Sequence, residues 1–204
     1  MGKDNLDKRW PERIAIADCI IQTLVNWHNA VYREARHQSK FRLLELGSGT
    51  GELAQSVLEK FTEMSPKSIY YNGIDIDPTL VKNAGERLGL AGHQNACFVQ
   101  NDLKDDNWTS TIGPIDAVFS LQTLHDLGGI EDLQTVYRQI HRLLVPSGIL
   151  VHADFVIPFE KDDPARRKRF SPATHKELLT SLGFVDFKCE MVNGKMACMS
   201  ARRF

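Results

Sequence analysis

Residues 41–52, reading FRLLELGSGTGE, constrain this chain more than any other stretch. An apolar run suited to a buried strand passes through Glu45 into three alternating glycines and then into helix-favouring sequence. Gly47, Gly49 and Gly51 leave no Cβ where a strand turns sharply into a helix, so the backbone can approach a ligand closely. The amides and positive end of the helix that follows favour a carboxylate or another anion. Strand, glycine turn and helix in this order point to an α/β sheet that holds a nucleoside-containing cofactor.

The spacing narrows the choice. A dinucleotide fingerprint reads G-x-G-x-x-G, whereas here the third glycine follows the first by four residues and Glu52 takes the fifth place. That counts against a nicotinamide or flavin dinucleotide. No Gly-Lys-Ser or Gly-Lys-Thr follows, which excludes a nucleoside-triphosphate loop. Any tight strand-to-helix connection can recruit glycine, so the loop by itself leaves a purely structural turn open.

E-L-G-S-G-T-G resembles motif I of the class I S-adenosylmethionine-dependent methyltransferases, which read Asp or Glu, any residue, then Gly-x-Gly-x-Gly. The resemblance covers about Phe41 to Phe204 and implies S-adenosyl-L-methionine as cofactor, with the loop from Glu45 through Gly47, Gly49 and Gly51 around its amino-acid tail. Asp75, in the predicted strand Ser68 to Asp77, matches the family's ribose-binding acid. An ionised carboxylate only accepts, so it can take both hydroxyl protons of a ribose diol. The alternative is a strand-end acid; Asp77, before Pro78, reads better as a helix N-cap. Asp102, closing the predicted strand Ala96 to Leu103, is similar to the acid that accepts the adenine amino group, with the Leu103 amide meeting a ring nitrogen. Asp102 as a simple turn cap stays open. Ile76 and Leu121 complete the cofactor residues that the resemblance implies.

The order of elements agrees. Ile14, Ala17, Ile21, Leu24, Val25 and His28 recur at helical spacing, giving an N-terminal helix within a lid segment of residues 1–38. A helix over about Glu52 to Met64 follows the glycine loop. Leu80, Ala84 and Leu88, with a stop at Gly89, mark a second crossover helix, and Ile130, Leu133, Val136, Tyr137, Ile140 and Leu144 mark a fourth. Strands are expected over Ile115 to Leu121 and about Ile149 to Ile157, the latter entered through Pro146-Ser147-Gly148. Phe184 to Val192 and Lys195 to Arg203 flank Asn193-Gly194, the dipeptide that best favours a tight hairpin. The expectation is one α/β domain over residues 1–204 with a cofactor-binding core over 41–204. It is a Rossmann-like methyltransferase fold: a seven-stranded, mostly parallel sheet with an antiparallel C-terminal hairpin strand and helices on both faces.

A net charge of −1 on 204 residues provides no overall basic field for nucleic acid or anionic lipid. The N-terminal stretch lacks the pattern of a signal peptide or a membrane span, and Gly2 lacks the serine or threonine of a myristoylation site; the expected location is cytoplasmic. Cys19, Cys97, Cys189 and Cys198 show no metal or redox spacing, so no metal site is expected. A two-residue Asn193-Gly194 turn would set Cys189 directly opposite Cys198.

Methyl transfer of this kind is an in-line displacement, so the protein has mainly to align a nucleophile and exclude water. His125, just past the fourth predicted strand, is the candidate general base; local packing is the alternative. Asp126 is a candidate to orient it, although adjacent residues rarely point together, and Asp154, on the same strand face as His152, is placed to reach substrate. The fourth strand ends in S-L-Q-T, unlike the Asp/Asn-Pro-Pro-Tyr element of the enzymes that methylate base amines, which argues against adenine in DNA. Arg166, Arg167, Lys168 and Arg169 form a basic run that is either solvated or recognises an anionic substrate or carrier. The expected partner is a small-molecule acceptor, anionic or carrier-tethered, with no membrane and no nucleic acid. Two other functions stay open: a cofactor-binding module of the same fold without turnover, and a nucleotide-dependent oxidoreductase, which the glycine spacing and terminal hairpin disfavour.

Overall fold

The computed structural model describes residues 3–32, 40–64, 68–163 and 165–204. Gly2, residues 33–38 of the expected lid segment and Pro164 of the basic loop lie outside the described residues. Helices α1 (Lys3–Arg9) and α2 (Glu12–Tyr32) precede β1 (Lys40–Leu46), α3 (Glu52–Met64), β2 (Ser68–Asp75), α4 (Pro78–Leu90) and β3 (Ala96–Gln100). Then come β4 (Ile115–Leu121), α5 (Ile130–Leu143), β5 (Leu144–Phe155), α6 (Pro172–Ser181), β6 (Phe184–Asn193) and β7 (Met196–Arg203).

The seven strands form one sheet in the order β3-β2-β1-β4-β5-β7-β6. The pairs from β3 through β5 are parallel, while β7 runs antiparallel to both β5 and β6. Strands buried on both faces are mostly apolar, and all seven residues of β4 are buried, its two polar side chains satisfied by hydrogen bonds: Ser120 Oγ donates to the Leu46 carbonyl and Asp116 accepts from Arg42. On one face, Ile16, Ile20, Leu24, Val57 and Phe61 of α2 and α3 pack on Phe41, Leu43, Phe119 and Val151. On the other, Leu133, Val136, Ile140 and Leu179 of α5 and α6 pack on Leu44, Val118 and Leu150.

Chain order reverses between β1 and β4, which leaves a crevice at their carboxyl ends. The glycine loop after β1, Asp75 at the end of β2 and the segment after β4 all open into it. Asp77 caps α4 by accepting from the amides of Thr79 (2.7 Å) and Leu80 (3.4 Å), with Pro78 in the first turn, as its position before a proline predicts.

Five local expectations change. On α2, Leu24, Val25 and His28 are buried as their spacing predicts, but Ile16, Ile20 and Trp27 are buried with them and Ile14 is 54% exposed, because apolar residues on several sides of this helix let tertiary packing choose the face. Strand β5 begins at Leu144 rather than Ile149: Leu144 pairs with Ile115, and the register shift that follows absorbs Pro146-Ser147-Gly148 as a bulge. Strand β3 ends at Gln100, leaving Asp102 and Leu103 in a loop, and α4 runs one residue past Gly89. In the hairpin Asn193 pairs with Met196, so Gly194 and Lys195 form the turn, with Gly194 at φ 57°. That one-residue slip and a bulge between Cys189 and Met191 place Cys189 opposite Met199 and Met191 opposite Cys198.

Candidate active site

A cavity of about 600 Å³ occupies the crevice. Its floor begins with the glycine loop. A Cβ on Gly47, at φ 70°, would lie 2.0 Å from Thr123 Oγ1, so only glycine lets the loop pass under the segment after β4. Gly49 has open space where a Cβ would point, and its N–H donates to Asp75 Oδ2 at 2.8 Å. Asp75 Oδ1 accepts from the amide of Asp77 at 3.0 Å. Two backbone donors thus hold the Asp75 carboxylate at the cavity wall while leaving it further lone pairs for a ligand.

Gly47, Gly49, Asp75, Ile76, Asp102, Leu103, Leu121 and His125 all line this one cavity. Ile76 is 61% exposed at its lip, an apolar face available to a flat ring. Asp102 accepts from the Lys104 amide at 2.9 Å, so it caps its turn as well as lining the cavity. Gly51 does not line the cavity; it packs on α4, where a Cβ would meet Leu88 Cδ2 at 2.8 Å. Glu45 also stands behind the lining, 2% exposed, and accepts from Tyr71 Oη at 2.5 Å. Burial raises the Glu45 carboxyl to about 8 despite the Tyr71 hydrogen bond, so it is protonated at neutral pH.

The segment after β4 carries the candidate base, His125. Gln122 adopts φ 57°, an uncommon conformation for a residue with a side chain, and its amide donates to the Ala153 carbonyl at 2.9 Å. His125 follows on a short 3₁₀ turn, Leu124–Asp126. Its Nδ1 lies 2.6 Å from Asp154 Oδ1, and its backbone N–H donates to Asp154 Oδ2 at 2.9 Å. Asp154 is 2% exposed. The edge of the imidazole meets Phe155 with ring centres 5.3 Å apart. Burial works to lower the His125 pKa, yet the hydrogen bond and charge of Asp154 outweigh it, and the net shift is upward. With Nδ1 committed to a carboxylate, Nε2 is left as the proton acceptor.

Asp154 is therefore the orienting carboxylate. Asp126 sits 3.5 Å from Nε2 with a side chain 75% exposed, where solvent screens it. The strand alternation that puts His152 and Asp154 on one face holds, but His152 turns to Tyr137, 3.1 Å away, and takes no part in the cavity.

Residues outside the sequence motifs close the other walls. Arg13 of α2 donates from Nε to Gln122 Oε1 and from Nη1 to Asp7 Oδ1, both at 2.8 Å, and lines the cavity beside the glycine loop. Trp10 stacks on Phe159 at 5.2 Å and meets Phe155 edge-on at 4.9 Å, forming an aromatic wall beside His125. Nothing local in the sequence marks Arg13 or Trp10 as site residues, because the N-terminal helices reach the crevice only through packing.

Comparison with known proteins bears on this geometry. A family profile described as methyltransferase domain matches residues 44–150, just over half of the chain. A putative methyltransferase, YqeM, of Bacillus subtilis is 30% identical over 128 residues, covering 61% of this chain and 47% of that protein. Malonyl-[acyl-carrier protein] O-methyltransferase 1 of Ilyobacter polytropus is 28% identical over 121 residues, covering 58% of this chain and 40% of that protein. The chain thus spans less than half the length of these two relatives. Among solved structures, the DszA carbon methyltransferase superposes with a TM-score of 0.76 at 20% identity, over 92% of this chain and 53% of that one, a likeness of fold. With the family match spanning the glycine loop, Asp75, Asp102 and the His125 turn, the chain belongs to the methyltransferase domain family, in the class I S-adenosylmethionine-dependent type.

Proposed function

We propose that this chain methylates a small-molecule acceptor that must lose a proton to react. The observation that carries the reading is the His125–Asp154 pair at the same cavity as the glycine loop, Asp75 and Asp102. A neutral amine needs no base, whereas a hydroxyl or an activated C–H does. A buried carboxylate that makes the imidazole more basic is the arrangement such an acceptor requires.

The cavity fits the cofactor. Open space above Gly49 admits a close ligand, and Asp75 keeps lone pairs free for ribose hydroxyls. Asp102, the Leu103 amide, Ile76 and Leu121 would hold the adenine end, and Gly47 with Arg13 the amino-acid tail, Arg13 facing its carboxylate. When bound, S-adenosylmethionine supplies a methyl group on a sulfonium, already activated for transfer. The protein's own part is to align the acceptor, keep water out with Trp10, Phe155 and Phe159, and take one proton at His125 Nε2. Helices α1 and α2 act as the lid, a reading supported by Leu6 of α1, Arg13 of α2 and Trp10 between them, which all line the cavity. The name of the Ilyobacter relative specifies a carrier-linked acceptor for that protein. A carrier-tethered acceptor is one form the substrate takes here.

The test pairs calorimetry with S-adenosylhomocysteine and transfer of labelled methyl to a panel of phenols, enols and hydroxy acids. Uptake together with label transfer is expected. Uptake without transfer to any acceptor would indicate a binding module, and no uptake at millimolar ligand would sink the assignment.

Cofactor uptake should also displace a proton. A positive charge seated over Gly47, such as the tail's ammonium, favours the ionised form of Glu45, whose carboxyl is raised to about 8 in the free protein. Binding at pH 7 should release up to about one proton and tighten as pH rises toward the Glu45 value. Calorimetry in buffers of different ionisation enthalpy measures this; identical apparent enthalpies would place the ammonium away from Glu45.

A further inference from the structure

The basic run Arg166 to Arg169 divides in the structure. Arg166, Arg167 and Lys168 are exposed, whereas Arg169 turns inward and lines the cavity that holds His125. Its side chain is 11% exposed, and its guanidinium carbon lies 4.2 Å from the ring centre of Phe159 and 5.7 Å from that of Phe155. One donor, Nη1, reaches Asp162 Oδ2 at 2.7 Å. The buried Nε finds no acceptor among the described residues, an unfavourable arrangement that contact with an anion would offset. The guanidinium charge is near enough to His125 to work against protonation of the imidazole. A cation and a base therefore face one aromatic-walled space, where low dielectric strengthens any contact with an anion.

The segment carrying Arg169 is fixed from behind. Phe170 is buried, and its backbone meets His175. Nδ1 of His175 lies 2.7 Å from the Tyr137 hydroxyl, which in turn is 3.1 Å from His152 Nε2. Burial lowers His152 well below the usual histidine range and His175 to about 4, so both rings are neutral near pH 7. This uncharged chain ties β5, α5 and α6 to the Arg169 segment and holds the cation in place before any ligand arrives.

We infer that Arg169 holds the acceptor oxygen that becomes negative as His125 removes the acceptor's proton. The inference rests on the proposed role of His125. In that step the acceptor's O–H or C–H bond breaks and its electron pair stays on the acceptor as an oxygen anion. The proton forms a new N–H bond at Nε2 and later leaves to water. The acceptor is then a phenol, an enol or another acid whose conjugate base carries its charge on oxygen, and the neighbouring Lys161 and Arg9 reinforce that preference for an anion.

The probe is 4-nitrophenol, whose ionised form absorbs separately, added to protein saturated with S-adenosylhomocysteine. The wild-type protein should raise the ionisation constant of the bound probe by about tenfold, as a cation at close range does. Arg169→Met, which keeps the stem on Phe159, should abolish that shift, and Arg169→Lys should retain part of it. Both variants should bind S-adenosylhomocysteine as the wild type does, which also certifies their fold. Failure of the wild type to take up nitrophenol, or an equal shift in Arg169→Met, overturns the inference while the cofactor site stands. So does loss of 4-nitrobenzoate affinity in Arg169→Met with an unchanged nitrophenol shift, which would assign Arg169 to a permanent carboxylate. No binding of S-adenosylhomocysteine to the wild type fails the cofactor site itself, and the inference falls with it.

Discussion

Replacing His125 with alanine is expected to slow methyl transfer to a phenol or enol by about 10²–10⁴-fold, with S-adenosylhomocysteine affinity unchanged. The imidazole faces the cavity, bonded to Asp154 at 2.6 Å and backed by the Phe155 ring. Its removal deletes a proton acceptor and leaves the glycine loop and Asp75 intact. The pH profile gives a second readout. An imidazole accepts a proton only when neutral, and the His125 pKa lies above the ordinary 6.5 because the Asp154 bond and charge exceed the lowering effect of burial. The rate should fall as pH drops through that raised value, placing the acid limb above pH 6.5. Asp154→Asn removes the charge, so the limb should move to lower pH, and the rate should fall because an amide also supports the wrong imidazole tautomer. Full activity of His125→Ala on an un-ionised acceptor would reject it as the base.

A second large effect is expected at Asp75, where alanine should weaken S-adenosylhomocysteine binding by about ten- to a hundredfold. The carboxylate accepts from the amides of Gly49 and Asp77, at 2.8 and 3.0 Å, and so shapes the glycine loop as well as facing the cavity. Alanine would orphan the Gly49 donor and remove the acceptor for the ribose hydroxyls together. Asp75→Asn separates the two contributions, since one carbonyl oxygen can still hold Gly49 while the charge is lost. Unaltered calorimetric affinity in Asp75→Ala would take this residue out of the cofactor site.

Local sequence rules carried far wherever a function depends on adjacent residues. The turn at Gly47 needs a missing Cβ and the cap at Asp77 needs an acid before a proline; both follow from a few consecutive positions. The terminal hairpin was equally legible as an antiparallel unit, although its register slipped by one residue, because either of two dipeptides around Gly194 can make the turn. The buried face of α2 was legible only in part: Leu24, Val25 and His28 belong to it as expected, whereas the expected stripe omits Ile16, Ile20 and Trp27. Ile14, Ile16, Ala17, Ile20 and Ile21 crowd several sides of that helix, and only the sheet beneath it selects Ile16 and Ile20.

By itself, the sequence determined the alternating strand–helix order, the glycine turn and the acid at the end of β2, because periodicity and turn chemistry act over a few residues. The tertiary structure decided which groups work as a unit. His125 and Asp154 stand 29 positions apart and meet because β4 and β5 pair in parallel, with Leu121 beside Ala153. Arg169 leaves a solvated run of cations for the cavity because Phe170 is anchored behind it, and Arg13 arrives on a helix that packs over the sheet. Such pairings arise from long-range packing, in which each partner's position is set by residues far from it in the chain, so no local pattern records them.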